Sequence, residues 1–274
     1  MEVWTQTAID TDLGFINVIR GGDAGPWVVC WPTLMGDHRS MQAFAELLVP
    51  RHRVLLIDPP GFGINRHIST WPPLAQQAAL AHRLVDALDI DRFHWVGQGF
   101  GGHVGAELVT RVGYRILSLT LASSPFVQSA RVNMVSRMIS WVLYRYEFGR
   151  YFVARHLTQQ MVTGNDAERE LTLRHTSSAL DGTHLSVLRK LQPTPQPILT
   201  RLRERLVPIA IPRLVLAGSM DNMVLPRDQR TVADVLGARY VEVDSGFMTF
   251  LAQPNACAHA VLAFFQDNPR PAAD

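Results

Sequence analysis

Four glycines fall within the six residues Gly97 to Gly102, directly after the apolar run His94-Trp95-Val96. Glycine costs a strand or helix interior roughly 0.5–1 kcal/mol, so a cluster this dense marks a place where the chain changes direction. The segment therefore reads as a buried strand that turns sharply into a helix, with Gly99 at the corner. A corner of that kind costs a non-glycine residue about 1–3 kcal/mol of backbone strain, and Gly99 avoids most of it. Whatever fold the chain adopts must place a strand, a strained turn and a helix in immediate succession here.

The rest of the chain supplies a matching rhythm. Residues 2–9 and 14–20 alternate apolar and polar side chains about Asp10-Thr11-Asp12 and predict an opening β-hairpin. Trp27 to Trp31 and Arg53 to Ile57 are short apolar strands of the kind buried on both faces of a parallel sheet. Between them Met41, Phe44, Ala45 and Leu48 share one face of a helix over about 38–48, and Leu80, Leu84 and Leu88 do so over 74–88. A strand over 116–122 follows the glycine-rich turn and its helix. Strand and helix thus alternate from residue 27 onward, which predicts a doubly wound α/β sheet.

The rhythm breaks between residues 126 and about 206. Helical patterns such as Val135, Met138, Ile139 and Val142 continue without a strong strand and end in the proline-rich Gln192 to Pro197. This stretch is expected to be a helical cap inserted into the sheet, leaving residues 1–125 and 207–274 as the core domain. Alternation resumes with a strand over 213–217, a helix over 227–236, a strand over 239–243 and a last helix over 255–265 with Ala256, Ala260 and Phe264 on one face.

Composition narrows the class of partner. A formal charge of +2 in 274 residues argues against nucleic acid and against an acidic membrane surface. Cys30 and Cys257 are too few for a disulfide framework and suit a reducing compartment. Without a leader-like start or a long apolar run, a soluble cytoplasmic protein is expected. The histidines show no metal-site pairing, so neither metal nor cofactor is expected. The partner expected is a small apolar metabolite, and a homodimer is left open.

Several segments together resemble the α/β-hydrolase family. Asp58-Pro59-Pro60-Gly61-Phe62-Gly63 is similar to its D-x-P-G-x-G turn, and Val96-Gly97-Gln98-Gly99-Phe100-Gly101-Gly102 to its nucleophile elbow, nearest the V-G-Q-D-W-G-G form of haloalkane dehalogenases and epoxide hydrolases. Gly218-Ser219-Met220-Asp221, with Val224 and Pro226 beyond it, resembles the segment that supplies the triad acid. Gly246-Phe247, with Leu251 and Pro254 beyond, resembles the segment that supplies the triad histidine. The resemblance implies an α/β-hydrolase fold with an inserted helical cap.

The departures bear on chemistry. The elbow holds Gly99 and not a nucleophile, the histidine position holds Phe247, and the His-Gly that follows the third strand is Pro32-Thr33. An engineered nucleophile knock-out would account for Gly99 but for neither of the others. In a serine protease, loss of nucleophile or base removes about a millionfold of rate, so serine-type hydrolysis is not expected. The resemblance implies that the backbone amides of Leu34 and Phe100 still form an oxyanion site.

Three functions are open on this basis. One is cofactor-independent lyase, cyclase, isomerase or decarboxylase chemistry on a carbonyl compound; the second is a non-catalytic binding or scaffold role; the third is hydrolysis by an unrecognised arrangement. The candidate catalytic groups are Asp221 and His38, and the candidate substrate contacts are Leu34, Gly99, Phe100 and Phe247. Each has a plainer reading. Asp221 can cap a turn, His38 can be solvated beside an N-capping Asp37, Phe247 can fill space, and Gly99 can merely relieve strain. His103 is expected to be a satisfied buried histidine. Ser123, Ser124 and the aromatics Trp141, Tyr144, Tyr146, Phe148, Tyr151 and Phe152 are further candidates for lining a pocket.

Overall fold

The computed structural model describes residues 4–127, 159, 162–190 and 199–268. Strands β1 (Trp4–Thr11) and β2 (Gly14–Gly21) form the opening hairpin. Thr11 Oγ1 closes its turn by donating to the Gly14 carbonyl (2.7 Å) and accepting from Leu13 N–H (3.2 Å). Six further strands follow: β3 (Trp27–Trp31), β4 (Arg53–Ile57), β5 (Phe93–Gln98), β6 (Ile116–Ala122), β7 (Arg213–Gly218) and β8 (Arg239–Val243). They join the hairpin in one sheet of order β1-β2-β4-β3-β5-β6-β7-β8, antiparallel as far as β4 and parallel from β4 to β8. This is the α/β-hydrolase fold that the motifs implied.

The uniformly apolar strands conceal a two-residue alternation, and that alternation builds two cores. Val28 and Cys30 of β3 and Val54 and Leu56 of β4 face one side, while Val29, Trp31, Leu55 and Ile57 face the other. On the first side lie α1 (Arg39–Leu48) and the final helices α8 (Thr249–Ala252) and α9 (Pro254–Asp267), where the Phe44 and Phe250 rings meet at 4.5 Å. On the second lie α2 (Leu74–Ala87), α3 (Phe100–Val112) and α7 (Pro226–Leu236), whose Leu84, Val104 and Val232 join the strand residues. All four residues expected on the buried face of α1 are fully buried. In α9 the expected face is partly corrected: Ala260 and Phe264 are buried, but Ala256 is exposed. The buried stripe instead runs through Cys257, Val261 and Phe264, with Ala260 at its edge.

Within the expected cap, the described residues form α4 (Asp166–Leu180), α5 (Leu185–Lys190) and α6 (Leu199–Leu206). Leu202 and Leu206 of α6 enter the same core as α3. The helical face through Val135 and Val142, all six aromatics from Trp141 to Phe152 and the proline-rich run lie outside the described residues.

The strand order positions the site. From β3 the chain moves to β4 on one side and then returns to β5 on the other. The loops leaving β3 and β5 therefore diverge and open a crevice at the carboxyl edge of the sheet, the usual place for a ligand in such a fold.

Candidate active site

The corner after β5 is built as the glycines require. Gly99 has φ +54° and ψ −113°, a backbone shape that side chains rarely tolerate, and its N–H donates to the Ala122 carbonyl of the next strand at 2.8 Å. A Cβ at Gly97 would stand 2.3 Å from the Gly101 backbone, so only glycine lets the outgoing helix pass this close to its own strand.

The loop between β3 and α1 forms the facing wall. Met35 adopts φ +58°, a strained geometry for a non-glycine residue, and Gly36 N–H closes a turn on the Thr33 carbonyl at 3.2 Å. The loop is anchored from below by Asp58, which is fully buried and accepts from His38 N–H, from His38 Nδ1 at 2.9 Å and from Ile64 N–H at 2.8 Å. Burial alone would lower the His38 pKa, but the hydrogen bond and charge of Asp58, helped by Asp37, leave it raised. The expectation of a solvated His38 is therefore corrected. Its imidazole is mostly buried and turned to Asp58, because the turn that begins at Asp58 passes directly under the start of α1.

Asp37 completes this network. It accepts from Arg39 N–H (3.0 Å) and from the Arg39 guanidinium, and lies 3.8 Å from His175 on α4. Burial would raise its pKa, yet the Arg39 hydrogen bond and the charges of His175, Arg39 and His38 hold it below the usual value. His175 is pushed down, chiefly by burial. Nothing in the sequence pairs residues so distant along the chain, and neither Asp58 nor His175 stood out as a site residue there.

Asp221 stands beyond β7 in a different setting. Its Oδ1 accepts from Met223 N–H (2.8 Å) and Val224 N–H (2.9 Å), the turn-capping duty anticipated for it, while its buried Oδ2 has no well-formed hydrogen bond among the described residues. Burial pushes its pKa up to about 6, although the two amides and the nearby Ser123 hydroxyl act in the opposite direction. Ser123, just past β6, is itself strained at φ +44°.

Phe247 is buried and packs in an apolar cluster with Met35, Phe62, Trp71, Val224, Leu180 of α4 and Val187 of α5, with Leu34 and Phe100 at its margin. Three polar contacts hold its loop in place. Gln98 Nε2 donates to the Phe247 carbonyl (2.8 Å), Phe247 N–H donates to Thr163 Oγ1 (2.6 Å), and Gly246 N–H donates to Glu168 Oε2 (3.0 Å). Sequence reasoning missed Gln98, Thr163 and Glu168 in this role, and it passed over Thr33. A Cβ built on Gly99 would lie 2.3 Å from Thr33 Oγ1 and 3.1 Å from Phe247 Cζ.

Leu34, Gly99, Phe100 and Phe247 thus gather at the carboxyl edge of β3 and β5, and His38 lies below the same loop. His103 is buried with its ring 4.3 Å from that of Phe126. Both cysteines are buried free thiols raised by burial, Cys257 to about 12. Among the described residues, no cluster of His, Cys, Asp or Glu could hold a metal ion. Nor is any described helix long and apolar enough to cross a membrane.

Comparison with known proteins agrees with the fold. Pimeloyl-[acyl-carrier protein] methyl ester esterase of Vibrio vulnificus is 25% identical over 239 residues, covering 81% of this chain and 88% of that protein. 3-Oxoadipate enol-lactonase 1 of Acinetobacter baylyi is 24% identical over 245 residues, covering 86% and 87%. A thermophilic esterase from Thermogutta terrifontis superposes with a TM-score of 0.81 at 20% identity, covering 96% of this chain and 98% of its own. The expectation of non-hydrolytic lyase, cyclase, isomerase or decarboxylase chemistry, or of a non-catalytic scaffold, is overturned by these relatives, which are named for ester and lactone hydrolysis. Loss of the attacking side chain does not by itself exclude hydrolysis, since water can in principle attack a polarised carbonyl directly. The family model for the alpha/beta hydrolase fold matches residues 26–254, and the chain belongs to that family.

Proposed function

We propose that the protein hydrolyses a small carboxylic ester or lactone with an apolar body, by direct attack of water and without an acyl-enzyme. The observation that carries this reading is Asp221: a buried carboxyl with a pKa raised to about 6 and one oxygen that accepts no hydrogen bond among the described residues, in a chain whose elbow bears no nucleophile. The amides of Leu34 and Phe100 polarise the carbonyl. Water adds to the carbonyl carbon and gives its proton to Asp221, and the tetrahedral oxyanion then collapses. As the C–O bond to the leaving group breaks, the departing alkoxide takes that proton back.

Apolar side chains of Phe247, Leu34, Met35 and Leu180 favour a substrate without charge near its reacting carbon. We read residues 126–206 as the cap over this site, and the two buried free thiols support a cytoplasmic setting. His38, bound to Asp58, acts by holding the oxyanion loop in shape.

The purified protein should turn over 4-nitrophenyl butyrate or dihydrocoumarin with linear progress from the first turnover, because no covalent intermediate accumulates. A stoichiometric burst of 4-nitrophenol would overturn the water-attack mechanism. Inactivity across esters, lactones and enol-lactones would overturn hydrolysis itself.

A further inference from the structure

Gly99 removes a hydroxyl from the elbow, and Thr33 brings one to the same place from the opposite wall. The Thr33 oxygen lies 2.3 Å from the point where a Cβ of residue 99 would stand, less than two covalent bond lengths (~3 Å) away. It therefore lies inside the volume that an elbow side chain would fill. Its methyl group is turned toward Gly36, 3.4 Å from where a Cβ there would stand, while the oxygen is turned to the corner. Thr33 is 3% exposed, and none of the described residues takes a hydrogen bond from its hydroxyl. The side chain is next in sequence to the Leu34 amide and faces the first residue of the α3 amide array across the gap.

We propose that Thr33 is a catalytic residue whose hydroxyl holds the attacking water over the elbow, replacing the side chain absent at residue 99. This rests on the water-attack reading of the site. A threonine hydroxyl has one donor and two acceptor sites, so Oγ1 accepts one hydrogen of the water and leaves a water lone pair directed at the carbonyl carbon. The second hydrogen goes to Asp221, and Thr33 keeps its own proton throughout. The same geometry explains why the small residue and the larger one have changed places. With Thr33 present, any side chain at residue 99 collides with it, and with Gly99 present Thr33 has room.

Two readouts test this, turnover of 4-nitrophenyl butyrate and binding of 4-phenyl-1,1,1-trifluorobutan-2-one, whose hydrated gem-diol imitates the adduct of water and carbonyl. Binding is followed by fluorine NMR. Thr33→Val preserves shape and removes the hydroxyl. It should lower kcat about tenfold with KM little changed and weaken gem-diol binding by a similar factor, whereas Thr33→Ser should keep both within about threefold. Equal melting temperatures for the variants exclude a folding defect.

If the wild type is active and Thr33→Val matches it in both readouts, the role of Thr33 is refuted while hydrolysis stands. If the wild type is inactive on every ester and lactone yet binds the gem-diol in a Thr33-dependent way, hydrolysis falls and the contact by Thr33 stands. Absence of both turnover and gem-diol binding removes both.

Discussion

Two buried aspartates flank the carboxyl edge of the sheet, and they are handled in opposite ways. Asp58 spends both oxygens on His38 and on the amide of Ile64, so it is hydrogen-bonded on both sides. Asp221 spends one oxygen on two amides, and among the described residues its other oxygen meets only the nearby Ser123 hydroxyl, without a well-formed hydrogen bond. A buried carboxylate that is fully paired is a structural rivet, because removing it strands its partners. One left half-satisfied is poised to change protonation state. Burial is the same for both; what differs is how much of each lone-pair capacity the surrounding chain consumes.

The largest expected effect comes from the paired side. Asp58→Ala leaves the His38 imidazole and the Ile64 amide buried without their acceptor and should cost about 3–5 kcal/mol of stability, read as a fall in the denaturant midpoint. A loss below about 1 kcal/mol would erase the contrast between the two aspartates. Asp221→Asn should behave oppositely, reducing kcat by about a hundredfold or more while leaving the fold intact.

Its pH signature follows from the raised pKa. A carboxyl that is harder to ionise when folded destabilises the protein once the pH passes the unfolded value near 4, and the penalty reaches its full size above about 6. Asp221→Asn should therefore gain stability at pH 7, by up to about 3 kcal/mol, and show no difference from the wild type at pH 3. A chemical denaturation series at the two pH values separates these outcomes.

Gly99→Ser sharpens the comparison from the other wall. The new side chain meets Thr33 and Phe247, and the backbone sits at φ +54°, so about 1–3 kcal/mol of stability should be lost without any gain of esterase turnover. Substantial new activity would mean that some base accepts the serine proton. The smallest effect is the pH profile. Log kcat/KM of the wild type should rise with a slope near one below about pH 6 and level off above it, and a flat profile from pH 5 to 8 would remove Asp221 as the base.

Much of the frame could be read from sequence because it is written in local patterns. The strained corner is visible in Gly97 to Gly102, and the buried face of α1 in Met41, Phe44, Ala45 and Leu48. Asp221 revealed its turn through its neighbours. What stayed hidden depends on contacts between segments far apart in the chain. Val28 and Val29 look alike in sequence yet serve different cores, since the alternation of an all-apolar strand carries no polar marker. Likewise, Thr33 and Gly99 each read as a departure from the family pattern, and only their proximity makes them one exchange. The charge of Asp37 is met by His175 of α4, a pairing that no spacing rule anticipates.

The hold of Thr163 and Glu168 on the backbone of Gly246 and Phe247 ties the fate of two layers together. Lifting α4 away to admit a bulky molecule would strip those amides of their acceptors at the moment the chamber opens. The loop that carries Phe247 is therefore ordered only while the segment from Thr163 to Glu168 stays docked against it.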